Sequence, residues 1–402
     1  MQGANRSKVG YLVRICNAAD AVLWRKIRRN TNCKQPRHKM AKIVFSPVTA
    51  ADDAALRRLM AQNVMEGGIS VSFRREPSYF AACAVQGAAV ESRKGCDTAG
   101  NIVILGSRFR RPAYVNGRLC DTGYLADLRV DKAHRSGLLL YRGYKILAER
   151  MAAEPLAADI TMILQDNTAA LSTIAANRPG MPRYTPLGRV HTPVIPLLLP
   201  RRALFSDGLT VSPATAADMP ALFAFLNREA ARRQFAQHYT AADLDTGRLN
   251  GLRAHDFLTV RRGGEIAAAA AVWDQHPFRQ IHVEGYRGAW RVGQPLYNAA
   301  ARILRLPRLP AAGGEIRHGY LALAMTANDD AQAFRLLLRA AYREARRRGW
   351  HYMVGSLHER DPLLPELLAY PHIGASGLLF AVSAGEPPKL DGRVPYIDAA
   401  AL

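Results

Sequence analysis

Seven residues, Tyr124-Leu125-Ala126-Asp127-Leu128-Arg129-Val130, read as a strand and run straight into Asp131-Lys132-Ala133-His134-Arg135-Ser136-Gly137 and a helical stretch. That order can hold an anion. The first amides of a helix lack intrahelical partners and the helix dipole is positive at that end, so a Ser/Gly turn there can seat phosphate. Arg135 stands at its mouth and His134 within it, the latter facing either phosphate or solvent. Asp127, on the strand, is a carboxylate able to accept a proton. It is equally able to pair with an arginine such as Arg129 or Arg183, or to cap a turn.

The elements that would position these groups follow from an internal repeat. Residues 43–60 read IVFSPVTAADDAALRRLM and residues 209–226 read LTVSPATAADMPALFAFL, with eight of eighteen positions identical at an offset of 166. Each copy predicts a short strand, a Ser-Pro and Thr-Ala-Ala-Asp turn that caps a helix, and apolar residues at helical spacing. Tyr124-Leu125-Ala126 returns as Tyr320-Leu321-Ala322 at an offset of 196, so the second copy carries about thirty extra residues, placed around 286–314. Within the first copy the pattern predicts a strand at 43–45, a helix at 52–62, and irregular or helical material to about Tyr79. Strands at 84–91 and 101–109, an Asn116-Gly117 hairpin turn and a strand at 119–130 come next. A helix at 135–151, a strand at 160–164, a helix at 168–176 and a closing strand at 190–199 complete it. The expected fold class is α+β: two tandem domains, each a mixed, mostly antiparallel sheet flanked by helices.

Composition bounds the rest. The chain has 402 residues, 49% hydrophobic, with 55 Lys and Arg against 33 acids, a net charge of +22. Residues 1–39 hold ten Lys or Arg and one acid and so carry +9 of it. They read as a basic extension, either disordered or translated from a start assigned too far upstream. The expected division is then 1–39, a first domain 40–205 and a second domain 206–402. The five cysteines show no Cys-x-x-Cys and no Cys/His metal spacing, so no metal is expected and the thiols read as free in a cytoplasmic setting. No run reaches the roughly 18 apolar residues of a membrane span. No nucleic-acid motif appears, although the charge keeps a catalytically inactive module for a polyanion as an alternative.

With Val130 five residues before Arg135 and a glycine-bearing turn after it, the segment resembles the GCN5-related N-acetyltransferase (GNAT) superfamily. The match extends over the first copy, through the strand 160–164 and the Gln165-Asp166-Asn167 that follows it. The family pattern places glycine at Leu138 and a small residue at Leu140, whereas this turn has its one glycine at Gly137. The resemblance implies an acyl-CoA-dependent N-acyltransferase with acetyl-CoA or another acyl-CoA as co-substrate. Coenzyme binding would fall to Leu128, Arg129, Val130, Arg135, Ser136, Gly137, Leu138 and Asn167. Asp127 would be the general base, and Tyr184 the acid that protonates the departing thiolate. The acceptor would be a small-molecule or peptide amine, and the protein a monomer or homodimer. A long-chain branch of the same fold, fed by acyl carrier protein, is the neighbouring alternative. In the second copy Leu323 replaces the acid, and Ala327-Asn328-Asp329-Asp330 replaces the turn, so no coenzyme site is expected there.

Overall fold

The computed structural model describes residues 43–135, 137–175, 178–304 and 306–402. The extension 1–39 and Ser136 lie outside the described residues. The chain opens with β1 (Val44–Pro47), a 3-10 turn and α1 (Asp53–Gln62), followed by β2 (Ile69–Arg74) and the short α2 (Tyr79–Cys83). The meander is β3 (Ala89–Cys96), β4 (Ile102–Val115) and β5 (Arg118–Val130). Next come α3 (Gly137–Ala153), β6 (Ala158–Leu164), α4 (Thr168–Ala175), β7 (Arg183–His191) and β8 (Val194–Pro196). The second half repeats the scheme with β9 (Leu209–Pro213), α5 (Met219–Ala230), β10 (Phe257–Arg262), β11 (Glu265–Trp273), β12 (Gln280–Tyr286) and α6 (Trp290–Leu304). It ends with β13 (His318–Thr326), α7 (Ala331–Arg347), β14 (Tyr352–Val354), β15 (Leu357–His358), α8 (Leu364–Leu368) and β16 (Ser376–Ser383).

The repeated Thr-Ala-Ala-Asp does the same work twice. Asp52 Oδ2 accepts the Thr49 amide at 2.8 Å, and Asp218 Oδ2 accepts the Thr215 amide at 2.8 Å, a reciprocal cap that starts α1 and α5. Asn116 and Gly117 both have positive φ, as a type I′ turn requires, and close the β4–β5 hairpin. Three expectations are corrected. The segment before Tyr79 holds the strand β2, whose Ile69, Val71 and Phe73 alternate with polar residues and which pairs with β12, about two hundred residues away. The strand expected at 84–91 begins at Ala89, because residues 84–86 continue the turn out of α2, with the Gln86 amide on the Cys83 carbonyl. The closing strand expected at 190–199 is two strands that leave for different sheets.

The first sheet runs β1-β3-β4-β5-β6-β16-β7-β15 and the second β8-β14-β13-β11-β10-β9. Strand for strand, β3-β4-β5-β6 corresponds to β10-β11-β13-β14. The two halves exchange strands, since β16 enters the first sheet between β6 and β7, and β8 edges the second. In each sheet the central strand pairs parallel with the next over three residues, Thr122–Tyr124 with Ala158–Ile160 and His318–Tyr320 with Tyr352–Val354, and the ladder then stops. Tyr124 packs under α1 with Leu56, Leu59 and Tyr79, while Leu125 faces the other way onto Met151 and Ile174. In the second half the buried run Ala267–Ala271 of β11 lets α7 lie close, with Phe334, Leu337 and Leu338 inward. The insertion expected at 286–314 contains α6, which exposes Val292, Leu296 and Ile303. No described helix is long and apolar enough to cross a membrane.

Candidate active site

Each central strand is broken by one residue in the left-handed region, Asp127 at φ 57° and Leu323 at φ 51°, at the same offset of 196. The ladder slips opposite each, between Leu105 and Ser107 on β4 and between Ala269 and Ala271 on β11. Left-handed backbone costs a side chain about 1–2 kcal/mol, so a bulge kept in both copies serves geometry. Its effect is a change of face. Alternation would set Asp127 beside Leu125, yet Asp127 is found with Tyr79 and Arg75, on the α1–α2 side.

Asp127 is 6% exposed, and both its oxygens are engaged. Arg75 Nη2 donates to Oδ1 at 2.6 Å and the Tyr79 hydroxyl to Oδ2 at 2.9 Å. Arg75, 4% exposed, also reaches Gln86 Oε1 at 2.9 Å and Cys83 Sγ at 3.0 Å. The partner is therefore Arg75, neither Arg129 nor Arg183. Burial works against the Arg75 cation, but the Asp127 charge beside it raises its pKa above the ordinary arginine value. Burial, then the Asp127 charge, raises the Tyr79 phenol, and burial pushes the Cys83 thiol up to about 11, so Cys83 is no thiolate nucleophile at neutral pH.

Beyond the bulge, the β6-facing edge of residues 126–130 has no ladder partner among the described residues, and Thr161 Oγ1 closes the fork by donating to the Leu125 carbonyl at 2.8 Å. Val130 is buried with Ile43, Ile104 and Leu139, while Leu128 stays exposed. Asp131 Oδ1 accepts the Ala133 amide at 2.9 Å and lies 3.0 Å from His134 Nδ1. Arg135 is exposed, α3 begins at Gly137, and Leu138 is exposed on its first turn. Leu128, Val130, Arg135, Gly137 and Leu138 thus come together along one strand end and one helix head. Lys132 joins this turn to the second half through Glu66, which also meets Arg287. Asn167 sits at the head of α4, its Oδ1 accepting the Ala170 amide at 3.1 Å. Tyr184 on β7 is packed edge-on against Tyr144 and Phe380 at 6.3 and 6.1 Å, in the cluster that holds Leu125. Burial raises its phenol well above the ordinary value, so it keeps its proton.

The matching slots of the second copy are filled by the chain itself. Asp398 Oδ2 takes the bulge amide of Leu323 at 2.6 Å, and the Tyr396 hydroxyl takes that of Ala324 at 2.9 Å. At the head of α7, Asp330 Oδ1 takes the amides of Gln332 and Ala333 at 2.9 and 3.0 Å. No described side chain accepts from the amides of Asp127 or Leu128 in the first copy. Arg75, Tyr79 and the segment 396–398 carried no sequence signal. They stand 52, 48 and about 270 residues from Asp127 and meet it, or its counterpart, only in the fold.

The fold is similar to that of solved structures, three of which follow. N-myristoyltransferase of Saccharomyces cerevisiae with bound myristoyl-CoA aligns with a TM-score of 0.59 at 12% identity, over 89% of this chain and 86% of that one. A GCN5-related N-acetyltransferase from Sphaerobacter thermophilus gives 0.51 at 14% identity, over 90% and 98%. A tandem GNAT protein from the clavulanic acid biosynthesis pathway gives 0.54 at 10% identity, over 86% and 99%. No family model and no curated protein matches the sequence. Identities this low speak to architecture, and on architecture the three agree: the chain has the GNAT superfamily fold, in its tandem form.

Proposed function

We propose that the chain is an acyl-CoA-dependent N-acyltransferase, acetyl transfer to a primary amine being the reaction, with one working site in the first domain, 40–205. The second, 206–402, lacks a coenzyme site. The observation that carries this reading is the contrast between the two bulges. The same backbone device is plugged by Asp398 and Tyr396 in one copy and left without described side-chain acceptors at Asp127 and Leu128 in the other.

The pantetheine arm would lie along the unpaired edge of β5 on the main chain of Leu128 and Val130. Arg135, Ser136, Gly137 and Leu138 would hold the diphosphate at the head of α3, with Asn167 alongside. A bulge amide aimed at the thioester carbonyl would stabilise the oxyanion as the amine attacks. In that step the C–N bond forms, the C–S bond breaks, and the amine proton passes toward Asp127. Tyr184, which keeps its proton, would deliver one to the leaving thiolate.

Calorimetry of coenzyme A against the wild type and an Arg135→Ala/Gly137→Asp double variant tests the site, and equal affinities refute it. Thiol release from acetyl-CoA over an amine library, with Asp127→Ala as control, tests the reaction.

A further inference from the structure

An amphipathic helix packed on a globular domain turns its apolar stripe inward. α7 does so, burying Phe334, Leu337 and Leu338. α6 does the reverse. Val292, Leu296, Ile303 and Leu304 recur at helical spacing along its 15 residues, and each is between 59 and 82% exposed, with Ala299 and Ala300 exposed among them. At about 100° per residue, the side turned to the protein, marked by the buried Ala301, faces away from that stripe. Polar contacts hold the helix from its other sides. The Tyr297 hydroxyl donates to the Pro307 carbonyl at 2.9 Å, and Asn298 exchanges hydrogen bonds with the Leu309 main chain at 2.9 and 2.8 Å. At the head of α6 the Arg287 amide donates to the Gly68 carbonyl at 2.8 Å, Trp290 lies against Gly68, and Glu66 takes both Arg287 and Lys132. The stripe therefore stands outward on a base fixed to both halves of the chain.

Charge decides what covers it. Between Glu284 and Glu315 the chain has five arginines, at 287, 291, 302, 305 and 308, and no acid. Arg291, Arg302 and Arg308 are exposed, and no described carboxylate pairs with them. Arg291 and Arg302 are separated by about three turns and so share one flank of the stripe. A second copy docked by this face would set those arginines against their own counterparts, and residues 1–39, at +9, carry the same sign. The complementary occupant is anionic. An aliphatic ridge along a helix about 22 Å long, edged by cations and by Trp290, suits the interface of a bilayer, with the aliphatic chains among the acyl chains and the guanidiniums at the headgroups. A fluid headgroup layer also meets exposed cations without needing partners preset in position. α6 is too short and too polar to span, so it would lie in the plane of the surface.

We propose that α6 docks the protein on an anionic lipid bilayer, inserting Val292, Leu296, Ile303 and Leu304 and setting Arg291, Arg302 and Arg308 against lipid phosphates. This stands independently of the acyltransferase reading.

The test is co-sedimentation of the full chain with vesicles of phosphatidylcholine alone and of phosphatidylcholine and phosphatidylglycerol in equal parts. The wild type should bind the mixed vesicles far more tightly than the neutral ones, and less tightly as salt rises. Leu296→Ser/Ile303→Ser leaves the net charge unchanged and alters two exposed side chains. It should keep the wild-type circular dichroism yet bind the mixed vesicles at least about tenfold more weakly. Arg291→Gln/Arg302→Gln should lose about 25-fold, near fivefold for each arginine, whereas removing the same charge at the exposed Arg118 and Arg343 should cost much less. Equal binding to both vesicles, a serine variant that binds like the wild type, or equal losses from the two arginine pairs overturns the proposal, since net charge or nothing at all would then explain adsorption. A wild-type dimer that the serine variant breaks, in sedimentation equilibrium, gives the face to a second copy. Binding to acyl carrier protein with none to vesicles gives it to an acidic protein, and either result overturns the proposal.

Discussion

Cutting the Asp127–Arg75 pair at one end should cost far more than removing it whole. Both side chains are nearly excluded from water, and in Asp127→Ala the Arg75 guanidinium keeps Gln86, Cys83 and the face of the Tyr79 ring but no counter-charge, while the Tyr79 hydroxyl is left with Ser107 alone. Removing one member of a buried pair typically costs about 3–5 kcal/mol, whereas replacing both by apolar groups of similar size is close to neutral. Asp127→Ala and Arg75→Met should each therefore lose about 3 kcal/mol, and the double variant should recover most of it. Urea unfolding followed by tryptophan fluorescence at pH 7 measures the cycle. A loss below about 1 kcal/mol in Asp127→Ala, or no recovery on adding Arg75→Met, would refute the reasoning. The double variant also separates structure from chemistry. If Asp127 accepts the amine proton, the recovered protein stays inactive in thiol release; full activity would reduce the carboxylate to a structural partner.

Other consequences can be measured singly. A Cβ added at Gly123 would lie 1.8 Å from Asp159 Oδ1, whose carboxylate takes Arg108, and one at Gly319 would lie 2.1 Å from the Trp350 ring. Each Gly→Ala change should destabilise by at least about 1–3 kcal/mol in denaturant melts. Thr49→Ala and Thr215→Ala should cost about 1 kcal/mol apiece, because each removes a helix cap of the same geometry, and their effects should add. The Glu344 carboxyl is held down to about 2, first by its hydrogen bond from Arg347 and then by Arg348 against the opposing pull of burial. Its stabilising contribution is complete above its ordinary value of 4.5 and is lost as pH falls through about 2. The pair is partly exposed, so the stability gap between wild type and Glu344→Gln should be at most about 1 kcal/mol at pH 7 and should close on acidification, which melts across pH would show.

What the sequence reveals and conceals follows the range of the interactions. The two capped helices, the Asn116-Gly117 turn and the α+β order depend on neighbours a few residues apart, and all were legible. The bulge was hidden because Asp127 and Leu323 take positive φ without the glycine that ordinarily signals it. Ile69, Val71 and Phe73 do alternate, but the strand they form is completed only by β12, so the local pattern stood without its partner. Strand exchange by β8 and β16 was illegible for the same reason: a strand's composition does not say which sheet it joins. Asp127 is a candidate from its place before Val130, whereas Arg75 and Tyr79 reach it only by folding.

The central claim is that the edge of β5 in the first copy seats the coenzyme and its counterpart on β13 does not. Amide hydrogen exchange read by mass spectrometry, with and without coenzyme A, asks this directly. The account predicts added protection over Leu128–Val130 and the first turn of α3, with no change over Leu323–Ala333. Protection confined to β13 and α7, or none at β5 while coenzyme A is bound, would contradict it.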